Sequence, residues 1–278
     1  MSIETPSGKG AKDENFPVGS FLLPKKLRPH IAHYYAFARA IDDIADNPDL
    51  SADEKVLRLN AMDEAVQGKR GDEPGLETAI AMHKSLVETN ITSRHCSDLV
   101  DAFRQDSVQN RYQDWDELIN YCLRSAAPVG RYLLDLHGEN PESYVYSDAL
   151  CNALQVINHL QDCGDDYQTL DRVYLPVPWL EAAGASIDDL SGSTATPGLR
   201  TVMDQCLTGT RALLKIADQL PAHLKSRSLS MESAIIIDVA HTLVDALSKR
   251  DPIAERVELT KPQYGLCAVR GALKGAFS

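Results

Sequence analysis

The chain has few basic residues, few aromatic residues and no long uninterrupted apolar run, and these shortages exclude several classes of protein. Among 278 residues, 28 are Lys or Arg and 40 are Asp or Glu, which gives a net charge of -12. This balance argues against nucleic acid as a partner, because such binding depends on cations that neutralise phosphates. The most apolar stretch is interrupted by Asp238, His241 and Asp245. We therefore predict no transmembrane helix.

Motifs of thiolate metal sites and of di-iron sites are missing as well. The six cysteines show no Cys-x-x-Cys spacing, so we expect neither a disulfide nor zinc. No Glu-x-x-His sequence occurs, and this removes the signature of a carboxylate-bridged di-iron bundle. Residues 1–14 are polar and lack a targeting pattern, which predicts a disordered tail on a cytoplasmic protein.

Helical periodicity is present along most of the chain. Apolar residues recur every three or four positions, and Pro and Gly sequences separate the segments. The pattern predicts one all-α domain over residues 15–278, with a short hairpin at residues 110–113. The predicted helices cover residues 28–45, 52–66, 77–89, 93–109, 115–136, 143–167, 197–219 and 230–249.

Two acidic motifs of the same form each end a predicted helix. Asp42 and Asp46 in the first motif, and Asp162 and Asp166 in the second, are four residues apart and share a helix face. Like charges at this spacing repel, and acids at a helix C-terminus oppose the macrodipole. Two such violations of local rules indicate a functional site. Carboxylate ligands favour Mg2+, which keeps several waters and shares its coordination with substrate phosphates.

Polar residues near the motifs strengthen the prediction of an anion site. A single Asp-x-x-x-Asp pair, such as Asp49 and Asp53, is typical of ordinary surface. Arg39 lies three residues before the first motif and would pair with a carboxylate or with phosphate oxygens. Asn158 precedes the second motif by one turn and would add a neutral oxygen ligand. The other candidates are Gln155, Gln161, Arg172 and Tyr174, of which the last two are equally compatible with a structural role.

Three segments resemble the squalene/phytoene synthase family. They are SFLLPKKLRPHIAHYYAFARAIDDIAD, NHLQDCGDDYQTLDRVYLP and the pattern Tyr-Cys-x-x-Ser-Ala-x-x-Val-Gly at residues 121–130. The resemblance spans residues 15–273. It implies an isoprenoid synthase bundle around a central apolar cavity, with two facing acidic helices, Mg2+ and an isoprenoid diphosphate substrate. The implied magnesium positions are Asp42, Asp46, Asn158, Asp162 and Asp166, and the implied substrate contacts are Tyr35, Arg39 and Gln155.

Within this family the sequence is most similar to the hydroxysqualene synthase branch of bacterial hopanoid biosynthesis. Gln161 replaces a frequent Arg, and Asn15 with Phe16 stands where Ser-Phe is common. Loss of the Arg weakens anion binding, and this suits an enzyme whose substrate already contains the two joined farnesyl units. The branch implies ionisation of presqualene diphosphate and capture of water, with no nicotinamide. The alternatives are a sister enzyme that condenses two farnesyl diphosphates, and a non-catalytic helical scaffold.

The implied carbocation requires an apolar, aromatic environment and one positioned water. Tyr35, Phe37 or Phe16 would offer aromatic faces. Small residues around Ala126 would leave space for isoprenoid tails, or would only permit close helix packing. His241 or Asn15 would position the water, although a hydrogen-bonded core histidine is the alternative for His241. Peripheral contact with the inner face of the membrane is expected from the apolar substrate and product. The sequence sets no oligomeric state.

Overall fold

The computed structural model describes residues 3–4, 23–71 and 73–277. Over these residues the protein is all-α, as predicted, and the only β pairing is an isolated parallel bridge between Arg111 and Val173. The predicted hairpin at residues 110–113 is therefore wrong, because Arg111 pairs with a distant segment and not with its neighbours. The helices are α1 (Arg28–Ala45), α2 (Ala52–Val66), α3 (Glu77–Thr89), α4 (Arg94–Asp106), α5 (Trp115–Ser125), α6 (Ala127–Leu136), α7 (Tyr144–Gln161), α8 (Cys163–Leu170), α9 (Val177–Ala182), α10 (Pro197–Ala217), α11 (Arg227–Leu247) and α12 (Lys261–Phe277).

The chain divides into two compact units. The first comprises Met1–Gln109 and Pro128–Pro141, and the second comprises Asn110–Ala127 and Glu142–Ser278. In the first unit, α1 packs on α2, α3 and α4. In the second unit, α7 packs on α5, α10 and α11, and α12 covers α11. None of the helices in the described part of the chain is long and apolar enough to cross a bilayer.

The bounds of α1, α2 and α3 agree with the sequence prediction because local signals mark their ends. The Ser51 hydroxyl accepts a hydrogen bond from the Glu54 amide at 3.3 Å and caps the start of α2. Asn90 ends α3 in the left-handed region with a φ of 55°, a conformation that asparagine tolerates better than most residues do.

The single helix predicted over residues 115–136 is wrong. The helix breaks at Ala126, whose φ of -126° and ψ of -47° depart from helical values. Pro128 follows two residues later. Proline lacks an amide hydrogen, and its ring crowds the preceding helical turn, so it is tolerated at the start of a helix but not inside one. The chain therefore ends α5 and begins α6 immediately before the proline.

The second acidic motif differs in part from the prediction, because it lies between two helices: its first residue caps the end of one helix, and the rest of the motif begins the next. α7 ends at Gln161 and α8 begins at Cys163, with Asp162 between them at a φ of -106° and a ψ of 7°. Asp166 therefore lies in the first turn of α8, where the macrodipole favours a carboxylate. The electrostatic penalty inferred from the macrodipole is therefore wrong for Asp166, whereas Asp162 is the C-cap residue of α7.

α12 lies outside all the helices predicted from sequence, and tertiary packing explains its presence. Glycines have low helix propensity, and α12 contains three of them. Two, Gly271 and Gly275, face the backbone of α11, where an added Cβ would lie 2.4 Å and 2.6 Å from the Cα atoms of Ile235 and Met231, respectively. The glycines lower the intrinsic stability of the helix but permit close contact between the two helix backbones.

Replacing Gly271 by Leu is expected to destabilise the second unit, because the contacted atoms of Ile235 belong to the backbone and cannot move aside. We expect a loss of about 1–3 kcal/mol in the free energy of unfolding, measured by urea denaturation. Gly265→Leu is the control in the same helix, since nothing lies within 4 Å of a Cβ added there. Equal destabilisation by the two substitutions would contradict the packing argument.

Candidate active site

The first acidic motif lies at the C-terminal end of α1, in the first unit. Arg39 forms ion pairs with two carboxylates, from Nη1 to Asp42 at 2.8 Å and from Nη2 to Asp43 at 2.9 Å. Asp46 is the C-cap residue, and its amide donates to the Asp42 carbonyl at 2.9 Å. Arg39 thus lies beside Asp42, as the spacing predicts. Tyr35, one turn earlier on the same helix face, is half-buried.

Asp43 is a residue of this motif that the sequence reasoning did not assign. Its side chain is only 6% exposed, whereas that of Asp42 is 24% exposed. A buried carboxylate requires a partner, and Arg39 supplies it. Asp43 therefore fixes the position of the guanidinium, while Asp42 remains the more accessible carboxylate of the two.

The second acidic motif lies at the junction of α7 and α8, in the second unit. The amide of Asp162 donates to the carbonyl of Asn158 at 2.9 Å, and the amide of Asp166 donates to the carbonyl of Asp162 at 2.8 Å. Helical hydrogen bonds thus continue across the break, and these three residues lie on successive turns, with Gln155 about one turn earlier. The amide of Arg172 donates to the Asp166 carbonyl at 3.2 Å, and the Arg172 residue is only 6% exposed.

A buried aromatic cluster lies beside the second motif. Tyr174 stacks on His159 with a distance of 3.5 Å between ring centroids, and on Tyr112 with a distance of 5.5 Å. Tyr121 of α5 completes the group, at 5.7 Å from Tyr174 and 6.0 Å from His159. All four residues are buried. This tyrosine cluster, defined as Tyr112, Tyr121 and Tyr174, therefore encloses the imidazole of His159, which follows Asn158 on α7.

The electrostatics of His159 favour a neutral ring. Burial lowers the pKa of His159 to about 3, and the positive charge of Arg172 adds to the shift. The imidazole is therefore uncharged at neutral pH. Its Nε2 atom is buried and has no hydrogen-bond partner among the described residues, which is unusual for a polar group in a protein interior. The sequence reasoning missed His159, although its place beside Asn158 on a largely buried helix was a usable signal.

Gln161 and Ala126 have defined surroundings in the second unit. The Nε2 atom of Gln161 donates to the carbonyl of Val257 at 2.6 Å, and the residue is 5% exposed. Its amide thus contributes to the fold, while its role in substrate binding stays a prediction. Ala126 is buried at the end of α5. Asn15 and Phe16 lie outside the described residues.

His241 is not the core histidine that the sequence offered as an alternative. Its side chain is 42% exposed, and its Nε2 atom lies 2.8 Å from Oδ1 of Asp218. α11 carries it on a partly solvent-facing position, because Ala240, Leu243 and Leu247 form the buried face of this helix on another side. Its predicted part in water capture stays a prediction.

The oxygen ligands of the two motifs match the preferences of Mg2+. No group of three or more His, Cys, Asp or Glu residues within the described ranges is arranged to hold a metal ion. Each motif instead offers two Asp carboxylates, and the second adds the amide oxygen of Asn158. Such incomplete oxygen sets fit Mg2+, which takes its remaining ligands from water and from substrate phosphates.

Comparisons with known proteins point to a single family. The family model for squalene/phytoene synthase matches residues 10–263. A hydroxysqualene synthase from Rhodopseudomonas palustris is 42% identical over 270 residues, which cover 97% of this chain and 91% of the relative. A hydroxysqualene synthase from Zymomonas mobilis is 42% identical over 269 residues, covering 96% and 90%.

Solved structures show the same similarity. The squalene synthase HpnC from Alicyclobacillus acidocaldarius superposes with a TM-score of 0.72 at 30% identity, covering 83% of this chain and 86% of that one. A dehydrosqualene synthase in complex with a ligand superposes with a TM-score of 0.76 at 18% identity, covering 94% and 92%. The second likeness is one of fold alone.

Proposed function

The chain belongs to the squalene/phytoene synthase family of isoprenoid-processing enzymes, and from this premise we propose that it is a hydroxysqualene synthase. In the proposed reaction, presqualene diphosphate ionises, the cation rearranges, and water captures it to give hydroxysqualene and diphosphate. The observation that carries the proposal is the 42% identity to two proteins of that name over almost the whole chain. The reaction class is then that of a lyase and not of a prenyl transferase.

The anionic end of the reaction is assigned to the two acidic motifs. Asp42 and Asp46, and Asn158 with Asp162 and Asp166, would hold Mg2+. When bound, magnesium supplies positive charge to the oxygens of the departing diphosphate. Arg39, held between Asp42 and Asp43, is placed to exchange a carboxylate partner for a phosphate oxygen. An ion pair at about 4 Å contributes about 4 kcal/mol at an effective dielectric of 20, against about 1 kcal/mol in water, so excluding water strengthens this binding.

The cationic end is assigned to the tyrosine cluster. Breaking the carbon–oxygen bond leaves the electron pair on the diphosphate and a positive charge on the hydrocarbon. Aromatic faces attract such a charge by roughly 0.5–2 kcal/mol each. Tyr112, Tyr121 and Tyr174 are buried, so they exclude bulk water and prevent premature quenching of the cation.

The capturing water is assigned to His159. The oxygen of this water forms the new carbon–oxygen bond, and its proton passes to the released diphosphate. A water in an apolar site needs a hydrogen-bonding partner that does not repel the cation. The neutral imidazole of His159, whose Nε2 atom has no hydrogen-bond partner within the described part of the chain, provides such a partner beside the tyrosine cluster, whereas His241 is already bonded to Asp218.

Parallel incubations test the function. The purified protein with Mg2+ is given either presqualene diphosphate or farnesyl diphosphate, and products are identified by mass spectrometry. We expect hydroxysqualene from presqualene diphosphate and no product from farnesyl diphosphate. Product from farnesyl diphosphate alone would instead support a condensing enzyme. That second candidate is favoured by one observation, the 30% identical solved relative titled a squalene synthase.

A further inference from the structure

The loop between α11 and α12, residues 248–260, has a defined conformation although it forms no helix. Arg250 holds it together: its Nε and Nη2 atoms each lie 2.8 Å from an oxygen of the Glu255 carboxylate, and its Nη1 atom donates to the carbonyl of Glu258 at 3.1 Å. Val257, between the last two residues, is fully buried. Internal hydrogen bonds and a buried side chain make this loop a packed unit against which other segments can be positioned.

The start of the loop is attached to α10 and to the segment that precedes α10. The carboxylate of Asp251 accepts hydrogen bonds from the amides of Ala195 at 2.8 Å and Ile253 at 2.9 Å. Arg200 of α10 donates from Nη1 to the carbonyl of Arg250 at 3.1 Å. The loop therefore has attachments that do not involve α7.

The same loop contacts the second acidic motif on both sides of the helix break at Asp162. Gln161, the last residue of α7, donates from Nε2 to the carbonyl of Val257 at 2.6 Å. Gly164, in the first turn of α8, faces Ile253, whose Cδ1 atom would lie 3.5 Å from a Cβ added at the glycine. The loop thus contacts the chain immediately before Asp162 and two residues after it.

Contacts from outside the motif are needed at this junction because local structure fixes it poorly. Asp162 departs from helical dihedral angles, and α8 begins without a side-chain cap from its N-cap residue. α8 has only eight residues, and isolated helices of that length are marginal in water. Packing must therefore set the direction of α8 relative to α7, and with it the distance between the side chains of Asp162 and Asp166.

The surroundings of Gln161 favour a supporting role over contact with a substrate. The residue is 5% exposed, and its Nε2 atom donates to Val257. Its Oε1 atom is buried and has no hydrogen-bond partner within the described ranges. A diphosphate accepts hydrogen bonds, and the one donor atom of this side chain already binds the loop.

We infer that Gln161 is a positioning residue: through Val257, the loop of residues 248–260 holds the junction of α7 and α8 and so sets the separation of the Asp162 and Asp166 carboxylates. The inference rests on the proposed function in one respect, namely that these carboxylates hold Mg2+ for a diphosphate. Residues behind the ligands of a metal orient those ligands and tune its affinity. Gln161 then acts on the metal site without touching the substrate, and Arg250 acts on it from farther away by shaping the loop.

Calorimetric titration of inorganic pyrophosphate into the protein, at a fixed Mg2+ concentration, tests the inference without any prenyl substrate. Gln161→Met keeps an unbranched side chain of similar length but removes the donor, and it should raise the Kd for pyrophosphate by about tenfold. Arg250→Met removes the ion pair with Glu255 and should raise the Kd by at least about twofold. The double variant should raise the Kd by less than the product of the two effects, because both act through one loop.

Ser143→Ala is the matched control at the other end of α7. The Ser143 hydroxyl donates to the carbonyl of His223 at 3.1 Å, so this variant also removes a bond from a buried side chain to a distant backbone carbonyl. It should leave pyrophosphate affinity unchanged. Weaker binding in Gln161→Met, with Arg250→Met at the wild-type value, would mean that Gln161 contacts the diphosphate and would overturn the inference. Equal weakening in all three variants, or none in any, would also overturn it.

Hydrogen exchange in the metal-free protein gives a second measurement. The amide of Asp166 donates to the carbonyl of Asp162 at 2.8 Å, and residues 162–170 should exchange faster in Gln161→Met and Arg250→Met than in Ser143→Ala. Unchanged exchange in both loop variants would contradict the proposed support. Failure of the proposed function would instead appear as no turnover of presqualene diphosphate by the wild type, so the two failures are distinguishable.

Discussion

Asp162→Asn is expected to reduce kcat/KM for presqualene diphosphate by about 100-fold or more, measured at saturating Mg2+. Asparagine keeps the size of the side chain and one oxygen but removes the negative charge. Loss of a preorganised electrostatic contact to a developing charge commonly reduces the rate by about 100-fold to 1000-fold. Asp162 lies between Asn158 and Asp166 on successive turns, so the other ligands of the motif remain. A higher Mg2+ concentration should therefore restore part of the activity.

The control for this substitution is Asp49→Asn. Asp49 and Asp53 repeat the spacing of the acidic motifs, but Asp49 is exposed and lies before the start of α2. The substitution removes the same charge from the same sequence pattern and should leave kcat/KM within about twofold, as is usual for surface changes. If Asp162→Asn retained near wild-type activity, or if the two variants lost equal activity, the assignment of the second motif would be refuted.

The helices were predicted well where local signals act alone. The pattern over residues 28–45 gives α1 its bounds, and Ser51 and Asn90 mark ends that their own hydrogen bonds and dihedral angles confirm. Pro128 was a local signal that the prediction over residues 115–136 overlooked, whereas α12 was missed because tertiary contacts decide its formation. α12 forms because Gly271 permits contact with α11, and no periodicity within the segment reports that contact.

The candidate site was predictable in part for the same reason. The pairing of Arg39 with Asp42 follows from helical spacing within one segment, and the structure confirms it. The tyrosine cluster joins Tyr112 and Tyr121 with the distant Tyr174, so no short-range pattern brings all three together. His159 was missed because its Nε2 atom is buried by the tyrosine cluster and has no hydrogen-bond partner among the described residues, and the sequence alone does not show this packing. That the two acidic motifs act on one diphosphate around a central cavity stays a prediction.

His159→Phe is expected to change the product while the diphosphate is still released. Phenylalanine preserves an aromatic ring that can stack on Tyr174 but removes the nitrogen that holds the water. The cation should then lose a proton and leave as a hydrocarbon with an additional double bond. One hydrogen bond contributes about 0.5–1.5 kcal/mol, so the ratio of alcohol to hydrocarbon should fall by about 2-fold to 13-fold. Mass spectrometry after reaction in 18O-labelled water measures this ratio, and diphosphate release measures ionisation.

The same substitution at His241 decides between the two histidines. His241 is paired with Asp218 and is 42% exposed, so a water bound there would exchange with solvent. A water bound at His159 would instead be enclosed by Tyr121 and Tyr174. His159→Asn, which keeps a polar atom, should recover part of the alcohol. A product change at His241 alone would restore the assignment made from sequence. An unchanged alcohol fraction in His159→Phe would mean that the water is held elsewhere, since a phenyl ring has no atom that can hold it.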